Sequence, residues 1–304
     1  MARLTNLYKN FTSIPRLVLL ILVICTLSMC KSRTESTDKV IEVDIDSSQM
    51  LLKYKNSIFC IPSPFQINLF LSKIKIAEDE SLVNSPINIS NYSSSVKKAI
   101  NIGVYGADLG YLRLFPNTQN LNQYLLAIKQ LASELNINEA YNKELLTKIE
   151  KNLNNNDSLF IYFSALYQHA DAFLKENSRQ QTSALIIAGG WVESFFLLTQ
   201  LYKKTGKNEL YSFISQQKYA LENIIKLLAP FYNTSEELTN ITDQLVDLAY
   251  QFDVIDLKFG TKNPSITNNN GIYEINSTTE IENSMKEIEG IIEKTSTARN
   301  SIVQ

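Results

Sequence analysis

From Ser63 onward, apolar residues recur at intervals of three and four, the period of helices with one buried face. Ser63-Pro64-Phe65-Gln66 sets a capping serine before a proline at the first helical position, with glutamine three residues after the cap. This predicts a helix to about Ala77. A Ser/Asn-rich loop runs through Pro86 to Tyr92. The spacing then predicts a helix from about Ser94 to Phe115, closed by Pro116. A second, opened by Thr118, carries Leu121, Tyr124, Leu125, Ile128, Leu131, Ala132 and Leu135 on one face. Asn138 opens a helix with Leu145, Leu146, Ile149 and Leu153, ending in Asn154-Asn155-Asn156. Asp157 caps one whose stripe is Leu159, Phe163, Leu166, Ala170 and Phe173. Ser178 with Gln181 repeats the capping-box spacing at the head of a long helix to about Lys204, ended by Gly206. Leu210 to Ala229 stops at Pro230. Thr234 with Glu237 starts a helix bearing Leu238, Ile241, Leu245, Leu248 and Phe252.

The pattern changes after residue 256. Asn268-Asn269-Asn270-Gly271 lies between Ser265-Ile266-Thr267 and Ile272-Tyr273-Glu274-Ile275, a hairpin signal over about 262–276. A last helix, about 279–299, packs through Ile281, Met285, Ile288, Ile292 and Thr295. No internal repeat of fixed period is present. The expected fold is all-α: a multi-helix bundle over 54–304 as one domain, with two buried central helices and a small C-terminal β-hairpin.

Those two helices have no wet face. Ala99 to Leu112 contains one charge, Asp108, and Ala184 to Leu201 contains one, Glu193. A helix apolar all round is either buried or in a membrane. Gly189-Gly190, Glu193, Ser194, Thr199 and Gln200 make the second segment a poor span, so burial in the bundle is expected. At about 100° per residue, Ala99, Gly103, Gly106 and Gly110 share a sector of about 60°. Glycine within a helix costs about 1 kcal/mol relative to alanine, and close approach of a neighbouring helix is the expected compensation.

The other side of the first helix carries Asn101, Tyr105, Asp108 and Tyr111. On the second, Glu193 shares its line with Thr182, Gly189, Gly190 and Gln200, which leaves space one turn before the carboxylate. Buried carboxylates must be hydrogen-bonded, paired with a cation or protonated. Two accounts follow. In one, tyrosine hydroxyls, Arg113, Arg179 or Lys175 satisfy them. In the other, Tyr105, Asp108, Tyr111, Gly189, Gly190 and Glu193 line a small polar pocket that holds a ligand or works as an acid/base pair.

The N-terminus places the chain in a cell. Arg3, Lys9 and Arg16 lead into the apolar run Leu17 to Met29, which stops at Cys30 before Lys31-Ser32-Arg33. A basic segment, a short apolar segment and a cysteine at the cut describe a lipoprotein export signal over 1–29, with lipid attached at Cys30. The alternative, an uncleaved anchor, needs about 20 apolar residues. Met29 stands where such signals carry a small residue. Residues 31–50 are polar and without strong period, which fits a tether over 30–53 with a possible short strand at Val40 to Ile45. With Cys25 removed and Cys30 lipidated, Cys60 is left without a disulfide partner, and Ile58, Phe59 and Ile61 around it suggest a buried hydrophobe. The 29 basic and 31 acidic residues of the chain lose three basic ones with the signal, leaving 26 against 31, a net −5. Nucleic acid is therefore not an expected partner.

Several chemistries lack their residues. His169 is the single histidine, which removes histidine-based metal clusters, and it borders an apolar stripe where a packed, hydrogen-bonded role is expected. No Gly-x-Ser-x-Gly elbow and no Walker or dinucleotide glycine pattern occurs. No catalytic residue, metal or cofactor is expected, and Trp191 is expected in the core. The stretches Ile61-Pro62-Ser63-Pro64, Gly103-Val104-Tyr105-Gly106-Ala107-Asp108-Leu109 and Ala188-Gly189-Gly190-Trp191-Val192-Glu193 resemble those of an uncharacterised family of Gram-negative envelope lipoproteins, over roughly 55–255. The resemblance implies export and lipid attachment and carries over no catalytic residue. The expected function is that of a non-enzymatic binding or scaffold module, held to a membrane of the cell envelope by the lipid on Cys30. It would lie on the periplasmic side and meet an envelope protein. The alternative is a small-ligand-binding protein or an enzyme that uses Asp108 and Glu193.

Overall fold

The computed structural model describes residues 49–304 except 55–56, 63, 75, 116–119, 153–155, 255–256, 260–264, 270–271, 277–278 and 282–284. The segments expected to form the export signal, the strand at Val40 to Ile45 and the turn at Asn270-Gly271, together with Cys30, Ser63, Pro116, Thr118 and Asn154-Asn155, lie outside the described residues. Two strands open the described chain, β1 (Gln49–Tyr54) and β2 (Ser57–Pro62), paired antiparallel with Gln49 opposite Pro62. Residues 49–53 are thus strand where tether was expected, in keeping with the β-favouring Ile58, Phe59 and Ile61 of their partner.

The helices follow in chain order: α1 (Pro64–Lys73), α2 (Ser95–Leu112), α3 (Leu121–Glu134), α4 (Lys143–Lys151), α5 (Asn156–Glu176), α6 (Gln180–Thr205), α7 (Asn208–Gln216), α8 (Lys218–Leu228), α9 (Glu236–Gln251) and α10 (Met285–Val303). Short 3₁₀ turns join several of them. Between α9 and α10, β3 (Leu257–Phe259) pairs antiparallel with β6 (Thr279–Ile281), and β4 (Ser265–Asn269) with β5 (Ile272–Asn276).

α2 and α6 form the centre of this all-α body. Ser94 accepts a hydrogen bond from the Lys97 N–H and starts α2, and every residue from Ala99 to Leu112 is buried. α6 is long and apolar enough to cross a membrane, yet 89% of its most apolar window is buried within the protein. The two helices touch backbone to backbone. A Cβ on Gly103 would overlap the Ile186 carbonyl, and one on Gly189 would overlap the Ile100 carbonyl. The glycine sector of α2 is therefore a seat for α6, with Gly106 set against Tyr167 of α5. Trp191 is fully buried, stacked on Phe195 with ring centres 4.9 Å apart, and Phe195 meets Phe252 at the end of α9.

Several element ends differ from the sequence expectation. Asn142, not Asn138, opens α4, its Oδ1 accepting from the Glu144 and Leu145 N–H groups, while Asn138–Ala140 is a 3₁₀ turn. Ser178 does not cap α6. It stands at φ 59°, and the next N–H, of Arg179, bonds back to the Leu174 carbonyl, which makes Ser178 the left-handed end of α5. Asn136 at φ 55° ends α3 in the same way, with Ile137 bonded to Ala132. Leu210 to Ala229 is two helices broken at Gln217, a buried side chain that accepts the Trp191 Nε1–H at 3.4 Å. Ser235 rather than Thr234 caps α9. The last helix starts at Met285, because Thr279–Ile281 pairs as β6, and runs on to Val303. Gly206, at φ 63°, ends α6 as expected.

Candidate functional site

Asp108 on α2 and Glu193 on α6 both have 0% exposure. The close contact at Gly103 and Gly189 brings their two helices together. The expected space beside Gly189-Gly190 is filled by α2 itself: the Ile100 carbonyl occupies the place of a Gly189 side chain, and the Gly190 N–H lies against Gly103. Tyr105 belongs to the cluster. Its hydroxyl donates to the Ser85 carbonyl at 3.1 Å and lies 3.5 Å from the Tyr92 hydroxyl. Tyr111 does not belong; it is buried edge-on against Phe115, and the charges that act on it are Asp79 and Glu78.

The cation that meets Glu193 comes from the far end of the chain. Arg299 of α10 donates from Nε to Glu193 Oε2 at 2.9 Å and from Nη2 to Oε1 at 3.0 Å, a two-pronged pairing that suits a planar guanidinium. Its Nη2 also donates to the Leu82 carbonyl at 3.4 Å, and its Cζ lies 4.7 Å from the Phe196 ring centre. The three cations the sequence offered are not its partners. Lys175 pairs with Asp171, Arg179 donates to the Leu135 carbonyl, and the Nε of Arg113 is buried without an acceptor.

Asp108 has less support. Its Oδ2 accepts the Asn84 backbone N–H at 3.2 Å, and its Oδ1 has no donor. Burial pushes this carboxyl well above the usual carboxylate range. The negative charge of Glu193 and a hydrogen bond between the two carboxyls push it further, against Arg299 and the Asn84 N–H. For Arg299 burial works downward, but the charge and hydrogen bonds of Glu193 outweigh it and the guanidinium is held up. Asp108 is thus the natural place for a proton: a neutral carboxyl can donate to Glu193, the carboxyl it shares a hydrogen bond with. With Asp108 neutral, the site's one acid charge meets one guanidinium.

Asn84 ties this pair to the rest of the core. Its Nδ2 donates to the Tyr92 hydroxyl at 2.8 Å and to Asn101 Oδ1 at 3.4 Å, and its Oδ1 accepts from Asn88 at 2.8 Å. The last carbonyls of α10 close the same network. Ile302 accepts from Asn101 Nδ2 at 3.0 Å and from Lys97 Nζ at 3.2 Å, Ser301 accepts from Lys97, and Val303 accepts from the Tyr92 hydroxyl at 3.5 Å. These are carbonyls that a helix end leaves without internal partners.

Sequence reasoning missed Arg299, Asn84 and Tyr92. Arg299 did leave a signal: Ile288, Ile292, Thr295, Arg299 and Ile302 follow one helical stripe, so it is a lone charge on an apolar face. His169 is exposed, contrary to the packed role expected of it. The side chain of Cys60, in β2, lies outside the described residues. Among the described residues, no three His, Cys, Asp or Glu side chains gather as a metal site. A surface groove of about 610 Å³, lined by Lys97, Glu236, Glu237, Asp243, Asp247 and Ser301, lies between α2, α9 and α10, and neither Asp108 nor Glu193 lines it. In comparisons with known proteins, no family model, no curated protein and no solved structure matches this chain.

Proposed function

We propose that this chain is a non-enzymatic binding or scaffold module of the cell envelope, anchored by lipid on Cys30, that works through its surface and meets an envelope protein on the periplasmic side. One observation carries the reading: Asp108 and Glu193, the acid/base pair the sequence offers, have no exposure and spend their hydrogen-bonding capacity on Arg299, Asn84 and each other. General acid/base work requires that a substrate come within hydrogen-bond reach of the group, and here both carboxyls are wholly enclosed by protein. The oxygen of Asp108 without a donor is a feature that favours a bound ligand, and a proton shared with Glu193 accounts for it.

Crosslinking in intact cells followed by mass spectrometry tests this function. A reproducible envelope protein neighbour, lost when Cys30→Ala releases the chain from its membrane, is the expected result. A chain that crosslinks to no protein and is labelled by no fatty acid at Cys30 overturns it.

A further inference from the structure

We propose that Asp108 holds a single proton donated toward Glu193, and that this proton fastens the C-terminal helix: its loss sets two buried carboxylates against the one guanidinium of Arg299 and loosens α10 from the core. The proposal rests on the reading that the acid pair is structural.

The geometry supplies the count. Both carboxyls are fully enclosed, Arg299 is committed to Glu193 and to the Leu82 carbonyl, and one oxygen of Asp108 has no donor. Among the described residues, the titratable groups around Asp108 add no second cation. Tyr105 comes from its own helix, Tyr92 from the segment before it, Tyr124 from α3, Glu193 from α6 and Arg299 from α10. Burial pushes all three tyrosines upward, so they remain neutral phenols while Asp108 titrates. Lys97, farther along α2, is engaged with the carbonyls of Ser301 and Ile302.

The fold decides which part yields. α2 and α6 are interlocked through Gly103 and Gly189, where any separation breaks backbone contact along both helices. α10 is held at this end by the Arg299 pairing and by the donors on Tyr92, Lys97 and Asn101 that meet its last carbonyls. A second negative charge beside Glu193 therefore disturbs the Arg299 pairing first.

The folded chain keeps the proton that an unfolded aspartate releases near pH 3.9. Between that pH and the raised folded value, the folded state binds one more proton than the unfolded state, so stability falls as pH rises through this window. Asp108→Asn removes the titration and keeps a donor, Nδ2–H, on the same side chain.

The test measures chemical unfolding of the full-length wild type and of Asp108→Asn from pH 5 to 9, with hydrogen exchange protection at both ends of the range. The expected result is a wild-type folding constant that falls relative to the variant, by up to about tenfold per pH unit. Protection is lost first over Met285–Val303 in the wild type and is retained in the variant. A wild-type to variant ratio independent of pH overturns the proposal, as does a loss of protection spread evenly over α2 and α6. Should the variant not fold, the ¹³C shift of the wild-type Asp108 carboxyl decides: an ionised carboxyl at pH 6 ends the proposal. A flat pH ratio leaves the envelope-partner function standing, whereas an absent crosslinked neighbour leaves the proton fastener untouched.

Discussion

Arg299 and Glu193 lie 106 residues apart in sequence and meet through two parallel hydrogen bonds of 2.9 and 3.0 Å, the carboxylate wholly buried and the Arg299 side chain 12% exposed. The pairing joins the last helix to the helix at the centre of the fold. Removing two charges from water costs several kcal/mol per ion, which the attraction repays only when geometry is good and the remaining lone pairs are satisfied. The geometry here is of that kind, with two parallel hydrogen bonds, a further bond from Nη2 to the Leu82 carbonyl and the Phe196 ring 4.7 Å from Cζ.

Arg299→Met, which keeps most of the volume, is expected to destabilise the chain by about 3–5 kcal/mol, because Glu193 is left buried and unpaired. Glu193→Gln added to Arg299→Met is expected to recover much of that loss, since no lone charge then remains. Urea unfolding of the two single variants and the double variant measures this directly. A double variant as unstable as the sum of the singles contradicts the pairing.

The contact between α2 and α6 makes a sharper demand. Alanine at Gly103 or at Gly189 meets backbone carbonyl, which cannot swing aside as a side chain end does. Each is expected to cost about 3 kcal/mol or more, beyond the better helix propensity of alanine. Gly206→Ala meets nothing within 4 Å and pays only for its φ of 63°, about 1–2 kcal/mol. Thermal unfolding of the three variants ranks them, and equal losses at Gly103 and Gly206 are incompatible with the interlock.

The centre of this fold was legible in the sequence because burial on all sides leaves a compositional mark: Ala99–Leu112 and Ala184–Leu201 carry one charge each. The glycine sector of α2 was legible for the same reason. Helix ends were less so. Polar residues that favour caps come in clusters here, Asn-Thr-Ser before α9 and Asn-Ser before α6, and composition does not say which member stands last outside the helix. Nor does it mark Asn136 and Ser178 as left-handed, since both are more familiar as caps. Arg299 was missed because its partner lies on a distant helix, and only its place on an apolar stripe betrays it.

Ser178 and Ser235 separate the two roles by experiment. Ser235 accepts the Leu238 N–H as the cap of α9, so Ser235→Ala is expected to lose about 1 kcal/mol and Ser235→Gly only a few tenths. Ser178 stands at φ 59°, where glycine escapes a steric cost, so Ser178→Gly is expected to gain about 1 kcal/mol. Chemical unfolding midpoints give the signs, and a loss on Ser178→Gly would restore the capping-box assignment.

Asn101 is the hinge between the network and the end of α10. Its Nδ2 donates to the carbonyls of Lys97 and Ile302 at 2.9 and 3.0 Å, and its Oδ1 accepts from Asn84 at 3.4 Å, with Asn101 itself wholly buried. Leucine of similar size at this position removes both donors while leaving the Ile302 carbonyl enclosed. A buried group deprived of its partner costs about 1–3 kcal/mol, and Lys97 Nζ, which also reaches Ile302, keeps the loss toward the lower end. Asn101→Leu is therefore expected to lower global stability by about 1–2 kcal/mol and to raise hydrogen exchange in the last turn of α10 more than in α6. Lys97→Met combined with Asn101→Leu removes both donors to Ile302, and a double variant no more labile at that turn than Asn101→Leu alone would show that the carbonyl is not held by this pair.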